Sequence, residues 1–278
     1  MFKKILCPVD LKDQTKPQLA FARSFAADQN ATLSAIYVTQ PPLYAYGYLA
    51  LSELEERWDN IAREQMSEVC ANDVEILLGR GWVGKEVAEV ALSGEFDLLM
   101  VPTHEQRDTK ELLVGSHFQA ILNASSLPIV ALPPALLSQK TVEFRKPKRI
   151  LCAVDMDPSA GRIVQTAKRL ADEYGAQTVL VHSVQIEERI LDLLDSGKRD
   201  GVEQRMKEKL LNEIPAADRV QPTIIALGRA DRNIQKIVQD NNIDLLILGF
   251  SHSHFRLRSV LYKTLMRLAI PCLCVPLD

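Results

Sequence analysis

Lys4-Ile5-Leu6-Cys7-Pro8-Val9-Asp10 returns about half a chain later as Arg149-Ile150-Leu151-Cys152-Ala153-Val154-Asp155. Each copy is a basic residue, an apolar run and an acid. An echo of this length at this separation means a duplicated domain. The run suits a strand buried on both faces of a parallel sheet, with the acid leaving its carboxyl end. In open α/β sheets ligands bind at that end. Asp10 and Asp155 are therefore the first two candidates for function.

Working outward, the two halves repeat the same order of elements. A helix opened by Pro17 carries Leu19, Ala22, Phe25 and Ala26 at helical spacing, and its counterpart carries Ile163, Ala167, Leu170 and Ala171. Second strands are predicted at Leu33 to Val38 and Val179 to Val184, third strands at Val74 to Leu78 and Pro222 to Leu227. Fourth strands follow at Asp97 to Val101 and Asp244 to Leu248, and the halves close on Leu127 to Pro133 and Ile270 to Pro276. Right-handed crossovers then give an α/β fold of two tandem, five-stranded, doubly wound parallel-sheet domains, packed about a pseudo-twofold axis. The predicted boundaries are 1–137 for the first domain, 138–147 for a polar linker and 148–278 for the second.

The copies diverge after the second strand. The first has a loop with three tyrosines, Tyr44, Tyr46 and Tyr48, before an amphipathic helix from about Ser52 to Cys70. The second has a charged helical stretch from Ile186 to Ile214 with a break near Ser196-Gly197. The tyrosines suit a cover for a bound ring and equally an amphipathic cap on the sheet edge.

A chain of 278 residues supports two domains of ordinary size, each with its own core. A net charge of −3 offers no basic footprint for nucleic acid and no field for an anionic membrane surface. Met1-Phe2-Lys3-Lys4 runs straight into the first strand, and no apolar run reaches the roughly 18 residues of a membrane span. The expectation is a cytoplasmic protein. Five cysteines, mostly inside apolar strands, read as buried free thiols, and Cys272-x-Cys274 as core packing rather than a metal pair.

Chemistry concentrates in the loop after the fourth strand. In the first half it runs from Pro102 through His104, Glu105 and Arg107 to Gly115-Ser116, where a helix begins. A Gly-Ser at a helix N-terminus is a seat for an anion, because free amides and the helix dipole converge there, and it is also an ordinary cap. In the second half the loop is shorter, from Gly249 to Arg258-Ser259, and carries His252, His254 and Arg256. These basic residues fit a small anion such as a monophosphate, or simply a solvated surface. No catalytic constellation and no complete metal site emerges. Asp10 and Asp155 serve equally as caps of the turn that follows each strand, with the cap favoured at Asp155.

Taken together, the strand-one Val-Asp, the loop into Gly-Ser and the closing Pro-Ile-Val-Ala and Pro-Cys-Leu-Cys strands resemble the universal stress protein family, duplicated in tandem. The resemblance covers nearly the whole chain. It implies a stress-response or regulatory protein without catalysis. In ATP-binding members the strand-one aspartate and the end of strand two hold adenine and ribose, and a glycine-rich loop ending in Gly-Ser wraps the phosphates. By that likeness Asp10, Val38, Pro102, His104, Gly115 and Ser116 would hold an adenine nucleotide, ATP or AMP with magnesium. A weaker anion site would comprise Asp155, Gly249, His252, Arg256, Arg258 and Ser259.

Two departures weaken the triphosphate part. Pro102 and Glu105 replace the early glycines, where the backbone must approach phosphate closely. Glu105 adds like charge, worth about 4 kcal/mol at roughly 4 Å and an effective dielectric of about 20. The expectation is therefore weakened or lost ATP binding, and the alternative is a nucleotide-binding switch with slow hydrolysis. A homodimer, and a protein partner met by the charged helix from Ile186 to Ile214 or by the tyrosine loop, are further expectations.

Overall fold

The computed structural model describes residues 1–39, 51–103, 116–251 and 255–277. The chain forms two compact units, Met1–Arg145 and Lys146–Asp278. The first contains β1 (Lys4–Val9), α1 (Thr15–Gln29), β2 (Thr32–Thr39), α2 (Leu51–Val69) and β3 (Glu75–Arg80). It continues with α3 (Val83–Ser93), β4 (Leu98–Pro102), α4 (Ser116–Ala124), β5 (Ile129–Leu132) and α5 (Pro134–Leu137).

Its strands are all parallel, in the order β3-β2-β1-β4-β5. The chain therefore winds one way from β1 and then returns to the other side of it. The order reverses between β1 and β4, and a crevice opens at such a switch point. Strand cores are dry: Ile5, Leu6, Leu98 and Leu99 have no solvent exposure. Continuous apolar runs are what strands covered on both faces require.

The second unit contains β6 (Arg149–Ala153), α6 (Ala160–Tyr174), β7 (Gln177–Val184), α7 (Glu188–Leu193) and α8 (Ser196–Glu213). Then come β8 (Thr223–Leu227), α9 (Ala230–Asp240), β9 (Leu245–Phe250), α10 (Phe255–Leu265) and β10 (Cys272–Pro276). The order is again parallel, β8-β7-β6-β9-β10. The break between α7 and α8 falls where Asp195 caps α8, its carboxylate accepting from the Lys198 amide at 2.8 Å.

Small devices recur at matching places. Asp97 accepts the amides of Lys3 and Lys4 at 2.8 and 3.1 Å, and Asp244 accepts those of Lys148 and Arg149 at 2.7 and 2.9 Å. Each pins the start of its unit's first strand beside the fourth. Gly81 and Gly228 both turn at φ +110°, which glycine alone adopts without strain. Residues 138–145, expected as most of the linker, run along the first unit. Val142 is buried there, the Phe144 ring meets Phe25 and Phe21 edge-on at 4.8 and 5.9 Å, and the Phe144 amide donates to Ser24 Oγ at 2.7 Å. The tyrosine loop lies outside the described residues.

Candidate functional site

In the first unit the carboxyl ends of β1, β2 and β4 surround a cleft of about 280 Å³. Its walls are apolar where the strands supply them, with Ile36, Val38 and Val101, and α4 adds Phe118 and Ile121. Asp10, Lys12, Tyr37 and His117 add polar groups to the lining. Small-molecule sites start at about 300 Å³ and combine such walls with a few convergent polar groups.

Asp10 has two roles at once. Its Oδ1 accepts from the Lys12 amide at 3.0 Å and from Thr15 Oγ1 at 3.2 Å, which holds the turn into α1. Its Oδ2 stands 3.8 Å from Lys12 Nζ, and the side chain stays 24% exposed on the cleft. Val38 and Pro102 line the same cleft, and Ser116 opens α4 beside His117. His104 and Gly115 lie outside the described residues.

Beneath the cleft lies Gln18, a polar residue on the buried face of α1. Its amide Nε2 donates to Pro8 O at 2.8 Å and Met100 O at 3.2 Å, with Cys7 Sγ at 3.1 Å. Burial pushes the Cys7 thiol up to about 12, the Gln18 hydrogen bond only partly opposing and Cys70 adding to the rise. Such a thiol is inert at neutral pH. Cys152 and Cys272 are likewise raised by burial, and all five cysteines are free.

The corresponding cleft of the second unit measures about 60 Å³, room for a few waters at roughly 10–15 Å³ each. Gly249 is present, as the sequence suggested, but apolar side chains cover it. A Cβ placed there would meet Leu277 Cδ1 at 2.7 Å and Ile163 Cδ1 at 2.8 Å. The close approach that glycine permits is thus occupied by the protein's own methyl groups.

Asp155, expected as the turn's cap, yields that part to Asp157, whose Oδ1 accepts from the Ser159 amide at 2.8 Å and from its hydroxyl. Asp157 lies two residues closer to the amide that needs a partner. Asp155 is 52% exposed and 4.0 Å from Nδ1 of His182, a buried ring that bonds Val154 O at 2.9 Å. Partial burial raises the Asp155 pKa, His182 opposes this, and Asp157 adds to it. His252 and the side chains of Arg256, Arg258 and Ser259 lie outside the described residues.

Deeper in the second unit Asp231 is buried at the start of α9. Arg229 grips it through Nε and Nη2 at 3.2 and 3.0 Å, and Arg267 Nε stands at 3.4 Å. Burial pushes this carboxyl up, but the Arg229 hydrogen bonds and the two guanidinium charges outweigh it and hold the pKa low. Sequence reading missed Lys12, Tyr37, Gln18 and His117 in the first unit, and Ile163, Leu277 and His182 in the second. One signal was available: Gln18 interrupts the apolar stripe of α1 with an amide. Among the described residues no cluster of three or more His, Cys, Asp or Glu could hold a metal, and no helix is long and apolar enough to cross a membrane.

Two parallel α/β units, each with its strand order reversing between its first and fourth strands, define a tandem α/β protein. The universal stress protein family model matches residues 1–133 and again 146–276, and the chain belongs to that family. Universal stress protein A homolog 1 of Coxiella burnetii is 30% identical over 139 residues, 47% of this chain and 95% of that protein. A universal stress protein structure from Archaeoglobus fulgidus, 16% identical, superposes at a TM-score of 0.66 over 99% of this chain and 96% of that one. A functionally unknown protein from Pseudomonas aeruginosa, 14% identical, reaches 0.62 over 100% and 93%. Both share the fold. Family membership supports a role in the stress response.

Proposed function

We propose that this is a cytoplasmic, non-catalytic stress-response regulator whose first unit binds an adenine nucleotide, weakly, and whose second unit binds none. The observation that carries this reading is the contrast between clefts of about 280 and 60 Å³ at equivalent places. Ile36, Val38 and Val101 offer apolar walls to a purine, Asp10 offers an acceptor to ribose hydroxyls, and Lys12 and His117 are the groups placed to meet phosphate. Pro102 stands where the family's loop has its first glycine, so a single phosphate is better accommodated than three. AMP is the preferred ligand, with magnesium-bound ATP weaker.

Calorimetric titration of the full chain with AMP, and with ATP and magnesium, tests this. One site per chain is expected, with AMP the tighter ligand. Asp10→Asn, which keeps an acceptor for the turn, should weaken AMP by roughly tenfold, as loss of one charged hydrogen bond does. Two sites per chain, or none, would overturn the reading. Phosphate release from ATP above a no-protein control would favour the hydrolysing switch instead.

A further inference from the structure

Pro8 in β1 has no amide hydrogen to give its neighbour β4. The two strands pair only at Ile5–Leu98 and Leu6–Leu99. In the second unit Ala153 stands at the place of Pro8, and the β6–β9 ladder continues through Cys152–Ile247 and Ala153–Leu248. A strand pair that stops early leaves buried carbonyls without donors, which costs stability unless something else supplies them.

Gln18 supplies them. Its amide, from a residue 1% exposed, reaches both Pro8 O and Met100 O. The side chain is thereby turned down onto the strands, and it forms no part of the cleft wall above. Ile163 is the equivalent residue of α6, counted from Asp155 as Gln18 is from Asp10. It has no amide to give and no orphan carbonyl to serve, and it lies in the wall of the small cleft with its Cδ1 against Gly249.

We infer that Pro8 and Gln18 together are the positioning pair that keeps the first unit's cleft open, and that Ala153 and Ile163 keep the second closed. The pair acts through the sheet. Pro8, with Pro102 across from it on β4 equally lacking an amide hydrogen, ends the ladder at the switch point, and Gln18 stabilises the parted strands from below, so the space above stays available. This rests on the proposed reading only for what enters the cleft; the opening itself is a property of the fold.

The test is the full-length chain carrying Pro8→Ala and Gln18→Ile together. The new amide at position 8 should exchange with solvent as slowly as that of Ala153, and the crystal structure should show the β1–β4 ladder extended by one pair, to Cys7–Met100, since Pro102 has no amide hydrogen where the second unit has Gly249. AMP affinity should fall by roughly tenfold or more, and by less in Gln18→Ala, which loses the same amide without lengthening the ladder. A loss of affinity that follows the longer ladder rather than the loss of stability is something a merely structural role would not produce. Fast exchange at position 8, a ladder still ending at Leu6, or an unchanged cleft would overturn the inference. Pro8→Ala alone adds a donor and removes only ring atoms, so it supplies the exchange measurement if the double variant does not fold. Should the wild-type chain bind no nucleotide, the functional reading fails, while exchange and cleft geometry still decide this one.

Discussion

The two clefts come from one ancestral pattern, yet one holds a small molecule's worth of space and the other a few waters. Both lie at the carboxyl ends of the first, second and fourth strands, and both have an aspartate at the end of strand one. What separates them is the residue that reaches the sheet from the following helix. In the first unit that residue spends its polarity on strand carbonyls; in the second it spends its bulk on the cleft. A retained motif residue therefore says little by itself. Gly249 keeps its glycine and loses its space, whereas Pro102 loses the glycine and keeps a cleft beside it.

This contrast can be broken most severely at Ile163. Ile163→Ala removes the plug and should destabilise the second unit by about 2–5 kcal/mol while enlarging its cleft. Two calorimetric transitions, with only one falling, would show it. Next comes Gln18→Ala, which leaves Pro8 O and Met100 O without their donor in a dry site. A loss of about 1–3 kcal/mol is expected in the first unit. If chemical denaturation finds no loss, the amide bridge is not holding the parted strands.

A smaller effect belongs to the second unit's buried ion group. Asp231→Asn weakens the contacts of Arg229 and Arg267, for an expected loss of about 1–2 kcal/mol at pH 7. The folded pKa of Asp231 lies below the ordinary 3.8, so its contribution is whole above that value. It is lost as pH falls through the folded pKa, and the difference between variant and wild type should shrink over that window. The smallest effect, of opposite sign, is expected at Asp155, whose folded pKa lies above 3.8. Here the unfolded chain gives up its proton first as pH rises, so the ionised folded form is disfavoured. Asp155→Asn should raise the midpoint slightly at pH 7, and the gain should vanish below pH 3.8, where both states are protonated. A variant less stable than wild type at pH 7 would show that attraction to His182 outweighs burial.

Much of this was legible in the residues. Continuous apolar runs marked the strands because helices cover them, and helical spacing in Leu19, Ala22 and Phe25 marked α1. The boundary stretch was harder. Its polar composition read as a linker, but Val142 is buried and Phe144 docks on α1 through its ring and its amide. At the site, Asp10 was visible because strand ends are where crevices open. Lys12 and His117 were not, since an isolated lysine and histidine carry no pattern until the fold brings them together.

By itself the sequence determined the duplication, the parallel α/β class and the family, because these follow from periodicity and repeated motifs along the chain. Only the tertiary structure decided which half is open. That depends on a hydrogen bond from Gln18 to Met100, residues far apart in sequence, and on Leu277 and Ile163 meeting over Gly249. A cleft is the space left when distant segments pack. Its volume is set by which side chain reaches it first, and no local pattern records that.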